Sequence, residues 1–451
     1  MNRREFLRST LAAGALAAVP AKLLAADGPA AQRPNILILL SDDLGYGNLG
    51  YEGNKVAQTP RLDALAAGNL RLDRCYAPHS LCAPTRTALM TGRNAYRVGG
   101  TGGLGGELSP RETTLSKVLH DHGYRTGHFG KWHMWVKPDD PQYGMDEYLY
   151  TGNNCGHVNP GYDGAFDGKT KTKPGKIEGD DSEIIVRRSL EFVDRALAQN
   201  KAFFASLTFH TVHSPNGSSQ RFRDMYKDTK GGKVDYLSDL SAMDYAIGVL
   251  LDELKKRGVL DNTLIYFTGD NGYGAGVDPA TKIRSESKQN ETISSKGGMG
   301  EGAVRVPGIF HWPARWARPT RIATAIAGYD LMPTFLAAAG IEGVTHRPFD
   351  GQNVLPILDG RTQERGDLCF WSWGAQPGAS YLVRGDYRMW CGPDGRQVLQ
   401  QIGPDNLMKE VKDAALEKEL GEKLRAWRDS VQADNKQALA EAEKAGRKRR
   451  K

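Results

Sequence analysis

The chain has 451 residues, 39% hydrophobic and 25% charged, with 53 glycines, which describes a loop-rich globular protein and excludes a disordered or fibrous one. That length exceeds what one core normally serves, so a large domain plus a smaller one is expected. The formal charge of +7 sits at the ends, +3 within residues 1–26 and +5 within the last sixteen residues, so the body is near −1 and charge argues nothing for nucleic-acid binding.

Arg3-Arg4-Glu5-Phe6-Leu7 precedes an Ala/Leu-rich stretch from Leu11 to Val19 that has no polar face, which argues against an amphipathic helix. The stretch resembles a twin-arginine export signal over residues 1–26, with cleavage near Ala25 or Ala26. It implies a protein handed to bacterial export machinery and delivered to the periplasm or outside. No tract of about twenty apolar residues occurs, so no membrane span is expected in the mature protein. Residues 35–40 are a short apolar run ending in Ser41-Asp42-Asp43, as a buried strand flanked on both faces would be. Thr59-Pro60 then opens a helix that Gly68 stops. Helical periods follow at 114–120, 182–198 and 235–256, and strand-like runs at 203–209, 263–267 and 306–310. This alternation predicts an α/β fold: a large, mainly parallel but mixed sheet sandwiched by helices over residues 33–362. After Gly360, Trp371, Trp373, Tyr381, Tyr387 and Trp390 crowd a short segment before a charged helix at about 405–430, which suggests a small α+β domain over 363–432. Residues 433–451 read as a solvated basic tail.

The chemistry-bearing residues are individually weak signals. Asp42 and Asp43 stand where the first strand ends, the edge at which open α/β sheets place their sites. Asp270-Asn271-Gly272 stands just after a second strand, although each pattern alone also suits a turn or cap. Together they offer hard oxygen ligands suited to calcium or magnesium. Five cysteines, Cys75, Cys82, Cys155, Cys369 and Cys391, cannot all pair and show no zinc spacing. Cys82 precedes a helical stretch at 87–90, where positive potential would make its thiol unusually reactive; a buried structural cysteine is the plainer alternative. P-loop and His-Glu-x-x-His patterns are absent.

Cys82-Ala83-Pro84-Thr85-Arg86, followed by Thr91-Gly92-Arg93, resembles the signature of the formylglycine-dependent, arylsulfatase-like (type I) sulfatases of the alkaline phosphatase superfamily. The likeness continues through Gly130-Lys131-Trp132-His133, Val212-His213-Ser214-Pro215 and the segment from Lys296 to Pro307. It implies that a formylglycine-generating enzyme oxidises Cys82, and that Asp42, Asp43, Asp270, Asn271 and the modified Cys82 hold one calcium ion. It further implies that Arg86 holds the hydrated aldehyde, Lys131 and Lys296 the sulfate, and His133 the formylglycine hydroxyl. His213, rather than His210, matches the histidine that protonates the departing alcohol, because it directly precedes a small residue and proline. Thr85, Val212 and Met134-Trp135 depart from the commoner residues of the family. The implied activity is hydrolysis of sulfate esters of a sulfated carbohydrate or an aryl alcohol. A phosphate or phosphonate ester hydrolase of the same superfamily and a non-catalytic glycan-binding relative are the alternatives.

Overall fold

The computed structural model describes residues 33–98, 108–109, 111–134, 136–229, 233–274, 295–298, 300–344, 347–371, 378–403 and 408–449. The export signal expected at 1–26 lies outside them.

Five parallel strands form the centre of a ten-stranded sheet: β1 (Asn35–Ser41), β2 (Arg125–Lys131), β3 (Glu147–Thr151), β4 (Phe203–Phe209) and β5 (Thr263–Gly269). Their order across the sheet is β5-β1-β4-β2-β3. Gly308–His311 adds antiparallel beyond β5, and Gly164–Phe166 antiparallel beyond β3, so the sheet is parallel at its centre and mixed at its edges. Every residue of β1 is buried because both faces are covered. Ile36, Ile38 and Leu40 pack with Leu89, Leu115 and Phe335 on one side, while Leu37 and Leu39 pack with Ile185, Phe192, Met243 and Leu250 on the other. The latter come from the long helices Asp181–Ala198 and Lys233–Lys256.

The apolar run expected as one strand at 306–310 is divided. Pro307 has no N–H for a ladder, so Arg305–Val306 pairs with Cys75–Tyr76 in a separate three-stranded sheet and Gly308–His311 joins the main one.

Toward the C-terminus five strands form an antiparallel meander from Leu368–Trp371 to Met408–Glu410. Alternation gives this small sheet two apolar faces. Leu368, Phe370, Tyr381 and Val383 pack on Tyr76, Val304 and Tyr329 of the large domain, and Leu382, Met389 and Leu399 pack on Leu420 and Leu424 of the helix Ala414–Arg449. That helix corrects the expectation of a helix at 405–430 followed by a solvated tail, because it continues to Arg449. Contacts to the large domain hold it there: Asp434 receives Arg93 at 2.8 Å and Arg97 at 3.0 Å, and Val431 and Ala438 are fully buried nearby.

Candidate active site

Parallel strands end on one edge, and the register puts Ser41 beside Phe209 and Gly269, and Lys131 beside Thr151. Whatever follows those strands therefore emerges in one row: Asp42-Asp43 after β1, His133 after β2, Asn154 after β3, His210 and His213 after β4, and Asp270-Asn271 after β5. Two site residues have left-handed backbone, Asp43 at φ 59° and His133 at φ 51°, a conformation that non-glycine residues rarely keep away from functional sites.

Cys82 reaches the same edge from outside the sheet. Its helix spans Cys82–Thr91, five residues longer at the start than the 87–90 stretch expected from sequence. Pro84 does not break it, because the first-turn N–H groups of a helix have no partner within it. Gly92, at φ 66°, closes the helix, and a side chain there would run into Phe349. Thr85, a departure from the family pattern, is buried and donates its hydroxyl to the His79 carbonyl at 2.9 Å.

The Cys82 thiol lies 3.3 Å from Asp42 Oδ1. One ligand atom each from Asp42, Asp43, Cys82 and Asp270 falls within 4.8 Å of the others, and all four residues are buried. Three cations face them. Lys131 Nζ is 2.5 Å from Asp42 Oδ2 and Lys296 Nζ 2.6 Å from Asp43 Oδ1. Arg86 donates from Nε and Nη2 to Asp270 Oδ2 at 3.0 and 2.7 Å, and from Nη1 to the Lys131 carbonyl at 2.6 Å. Asn271 donates its amide to Asp43 Oδ1 at 2.8 Å, while its own Oδ1 is buried with no hydrogen-bond partner among the described residues. Three carboxylates plus an unclaimed amide oxygen are a donor set for a hard cation. Gly272 lets the Asp270-Asn271 turn pass against the Gly302 carbonyl, where a side chain would collide.

The charges set the protonation states. Burial raises Asp42, but Lys131 and Arg86 outweigh it and hold the carboxyl well below the usual range. Burial and the Asp42 charge push Asp270 up to about 6. The Cys82 thiol is pushed far up by burial and by Asp42 and Asp270, which corrects the expectation of an activated thiolate: two adjacent carboxylates override a helix N-terminus. Burial, then Lys131 and Arg86, pull His133 down to about 3 and keep it neutral.

His213 comes to the site and His210 does not. His213 Nε2 is 3.8 Å from Asp43 Oδ2, and burial lowers its pKa against the pull of Asp42 and Asp43. His210 is fully buried between Asp181 Oδ2 at 2.9 Å and Thr151 Oγ1 at 2.7 Å. Val212 uses an N–H that the family's frequent proline lacks, donating to the Asp42 carbonyl at 2.7 Å. Asn154, which sequence reasoning missed, stands 3.1 Å from His213 Nε2 through its Nδ2. With His213 Nδ1 facing the Ser214 carbonyl, these partners assign the tautomer that is protonated at Nδ1.

The family model described as Sulfatase matches residues 34–341. Arylsulfatase A from Bos taurus is 32% identical over 381 residues, covering 77% of this chain and 72% of that protein. N-acetylgalactosamine-6-sulfatase from Sus scrofa is 30% identical over 368 residues, covering 74% and 68%. Among solved structures, Ps i-CgsB in complex with k-i-k-neocarrahexaose superposes with a TM-score of 0.75 at 25% identity, over 90% of this chain and 94% of that one. These likenesses favour sulfate over phosphate or phosphonate esters. The matched stretch contains every residue of the charged cluster, and the chain belongs to the sulfatase family and hydrolyses sulfate esters.

Proposed function

We propose that this sulfatase carries formylglycine at position 82 and binds one calcium ion between Asp42, Asp43, Asp270 and Asn271, with residue 82 completing the protein's ligands. One observation carries the reading: the Cys82 side chain sits within 4.8 Å of three buried carboxylates that three cations already balance. Bound calcium supplies two further positive charges, turning a neutral site into a trap for the sulfate group. Formylglycine would supply a hydrated aldehyde with two hydroxyls on one carbon: one, losing its proton to Asp270, to attack sulfur as the alcohol leaves, and one whose deprotonation expels the sulfate and restores the aldehyde.

The chain's own residues do the rest. Lys131 and Lys296 neutralise the sulfate oxygens that otherwise repel a nucleophile. Arg86, fixed by Asp270 and the Lys131 carbonyl, holds the side chain at position 82. His133, neutral and so able to accept, takes the proton of the second hydroxyl. His213, whose Nε2 points toward the acidic cluster, gives the departing alcohol a proton from Nε2 as the imidazolium, which carries that proton in addition to the one on Nδ1.

The substrate is a sulfated carbohydrate or an aryl sulfate, and the relative acting on N-acetylgalactosamine 6-sulfate and the neighbour that binds k-i-k-neocarrahexaose favour the carbohydrate. Cys82 is only 4% exposed, so its oxidation by a formylglycine-generating enzyme precedes folding. The paired arginines at the N-terminus then fit export of the folded, modified protein to the periplasm or beyond.

Peptide mass analysis of residue 82, with turnover of defined sulfated sugars and an aryl sulfate in calcium and in chelator, tests the reading. Formylglycine and calcium-dependent turnover are expected. An intact thiol in fully active protein would overturn it.

A further inference from the structure

Two segments face each other across His213: residues 152–157 after β3, which carry Asn154, and residues 210–217 after β4, which carry His213 itself. The visible contact between them is the exposed Asn154 amide. Beneath it lies a buried connection that no sequence motif announced. Asp239, on the helix Lys233–Lys256, accepts three hydrogen bonds on one oxygen: from His157 Nδ1 at 2.9 Å, Asn216 Nδ2 at 3.1 Å and the Gly217 N–H at 3.0 Å. Asn216 Nδ2 also donates to the Val212 carbonyl at 2.9 Å, beside His213. One carboxylate oxygen thus ties both segments to a core helix.

We propose that His157 and Asp239 are a positioning pair that sets His213 at the leaving-group face of the site. His157 and Asp239 are 4% and 1% exposed. Burial pulls the His157 imidazole down, and the hydrogen bond and charge of Asp239 more than reverse this, so the pair is charge-assisted. His157 Nε2 and Asp239 Oδ1 are buried without partners among the described residues. An apolar residue at 239 would leave the Gly217 N–H and the Asn216 amide without this acceptor, so the carboxylate holds the loop as well as the imidazole. The hydrogen bonds of the His213 ring among the described residues are at its rim, to the Ser214 carbonyl and Asn154. Its position therefore follows that of the loop, and a shift of about 1 Å at a reacting group costs on the order of 100-fold in rate.

The inference rests on His213 as the acid, and leaving-group dependence tests the two separately. para-Nitrophenol leaves well without a proton, whereas phenol needs one. The ratio of kcat for phenyl sulfate to kcat for para-nitrophenyl sulfate, taken on one preparation, does not depend on how much of it is folded. His213→Ala is expected to lower that ratio by about 100-fold, and Asp239→Ala and His157→Ala by about tenfold or more. His157→Gln, whose amide still donates to Asp239, should recover most of it. If Asp239→Ala does not fold, His157→Ala and the milder Asn216→Ala carry the test. A normal ratio in all the folded clamp variants, with a lowered ratio in His213→Ala, overturns the positioning pair and leaves the acid standing. A normal ratio in His213→Ala overturns the acid assignment and the pair with it.

Discussion

Two groups of metal-ligand side chains lie along the same sheet edge, one buried except for the half-exposed Cys155 and one fully buried, and they differ in how their demands are met. Asp181, His210 and Cys155 bring a carboxylate, an imidazole and a thiol within 4.8 Å of one another, as Asp42, Asp43, Asp270 and Cys82 do. In the first group the carboxylate and imidazole are satisfied by neutral neighbours and by each other: Asp181 takes the Tyr162 hydroxyl at 2.6 Å and His210 Nδ1 at 2.9 Å, and His210 Nε2 meets Thr151. In the second, three carboxylates crowd together, cations must be brought in to hold them, and Asn271 Oδ1 is left over. Residue type and proximity do not distinguish a structural cluster from a working one. Here the crowding of three carboxylates and the unmet hydrogen-bonding capacity of Asn271 Oδ1 do.

The contrast breaks first on activity. Cys82→Ala should lose turnover of para-nitrophenyl sulfate by about 10⁴-fold or more, and Lys296→Ala by about 10²- to 10³-fold, both with the wild-type melting temperature. Asp181→Ala should instead act on stability. Burial raises Asp181, but the charge and hydrogen bonds of His210 hold it below the ordinary range, so removing it strands His210 and costs about 3–5 kcal/mol in urea unfolding. Calcium should act on the carboxylate-rich cluster alone. At about a hundred times its Kd it should stabilise the protein by about 2.7 kcal/mol, an effect that Asp43→Asn removes and Asp181→Asn retains in thermal melts.

The smallest effect lies in the pH dependence of folding. Burial lowers His79 and His128 to about 3 and His311 to about 4 from 6.5. Each is neutral when folded and takes up a proton more readily when unfolded, so its contribution is complete above pH 6.5 and is lost as pH falls, toward 4 for His311 and toward 3 for His79 and His128. Urea midpoints should fall over that window, and His311→Asn should flatten the slope. An unchanged slope would show that His311 is not held neutral.

The strands and the acidic ends of β1 and β5 were legible in the sequence because a continuous apolar run followed by charge leaves few other readings. Local pattern failed where long-range partners decide. Pro84 reads as a break until it is seen to fall in a first turn, and Cys82 reads as activated until Asp42 and Asp270 are brought beside it from 40 and 188 positions away. Asn154, His157 and Asp239 belong to no motif, since only the fold brings the segments that follow β3 and β4 against a distant helix. The charged C-terminal stretch reads as solvated because nothing in it announces that Arg93 and Arg97 would claim Asp434.

Crystallographic density for protein grown with calcium tests the central claim most directly. One strong cation peak is expected, about 2.3–2.6 Å from oxygens of Asp42, Asp43, Asp270 and Asn271, beside a residue 82 whose density lacks sulfur. A cation seated instead at Cys155, Asp181 and His210, with an intact thiol at Cys82 in active protein, would contradict it.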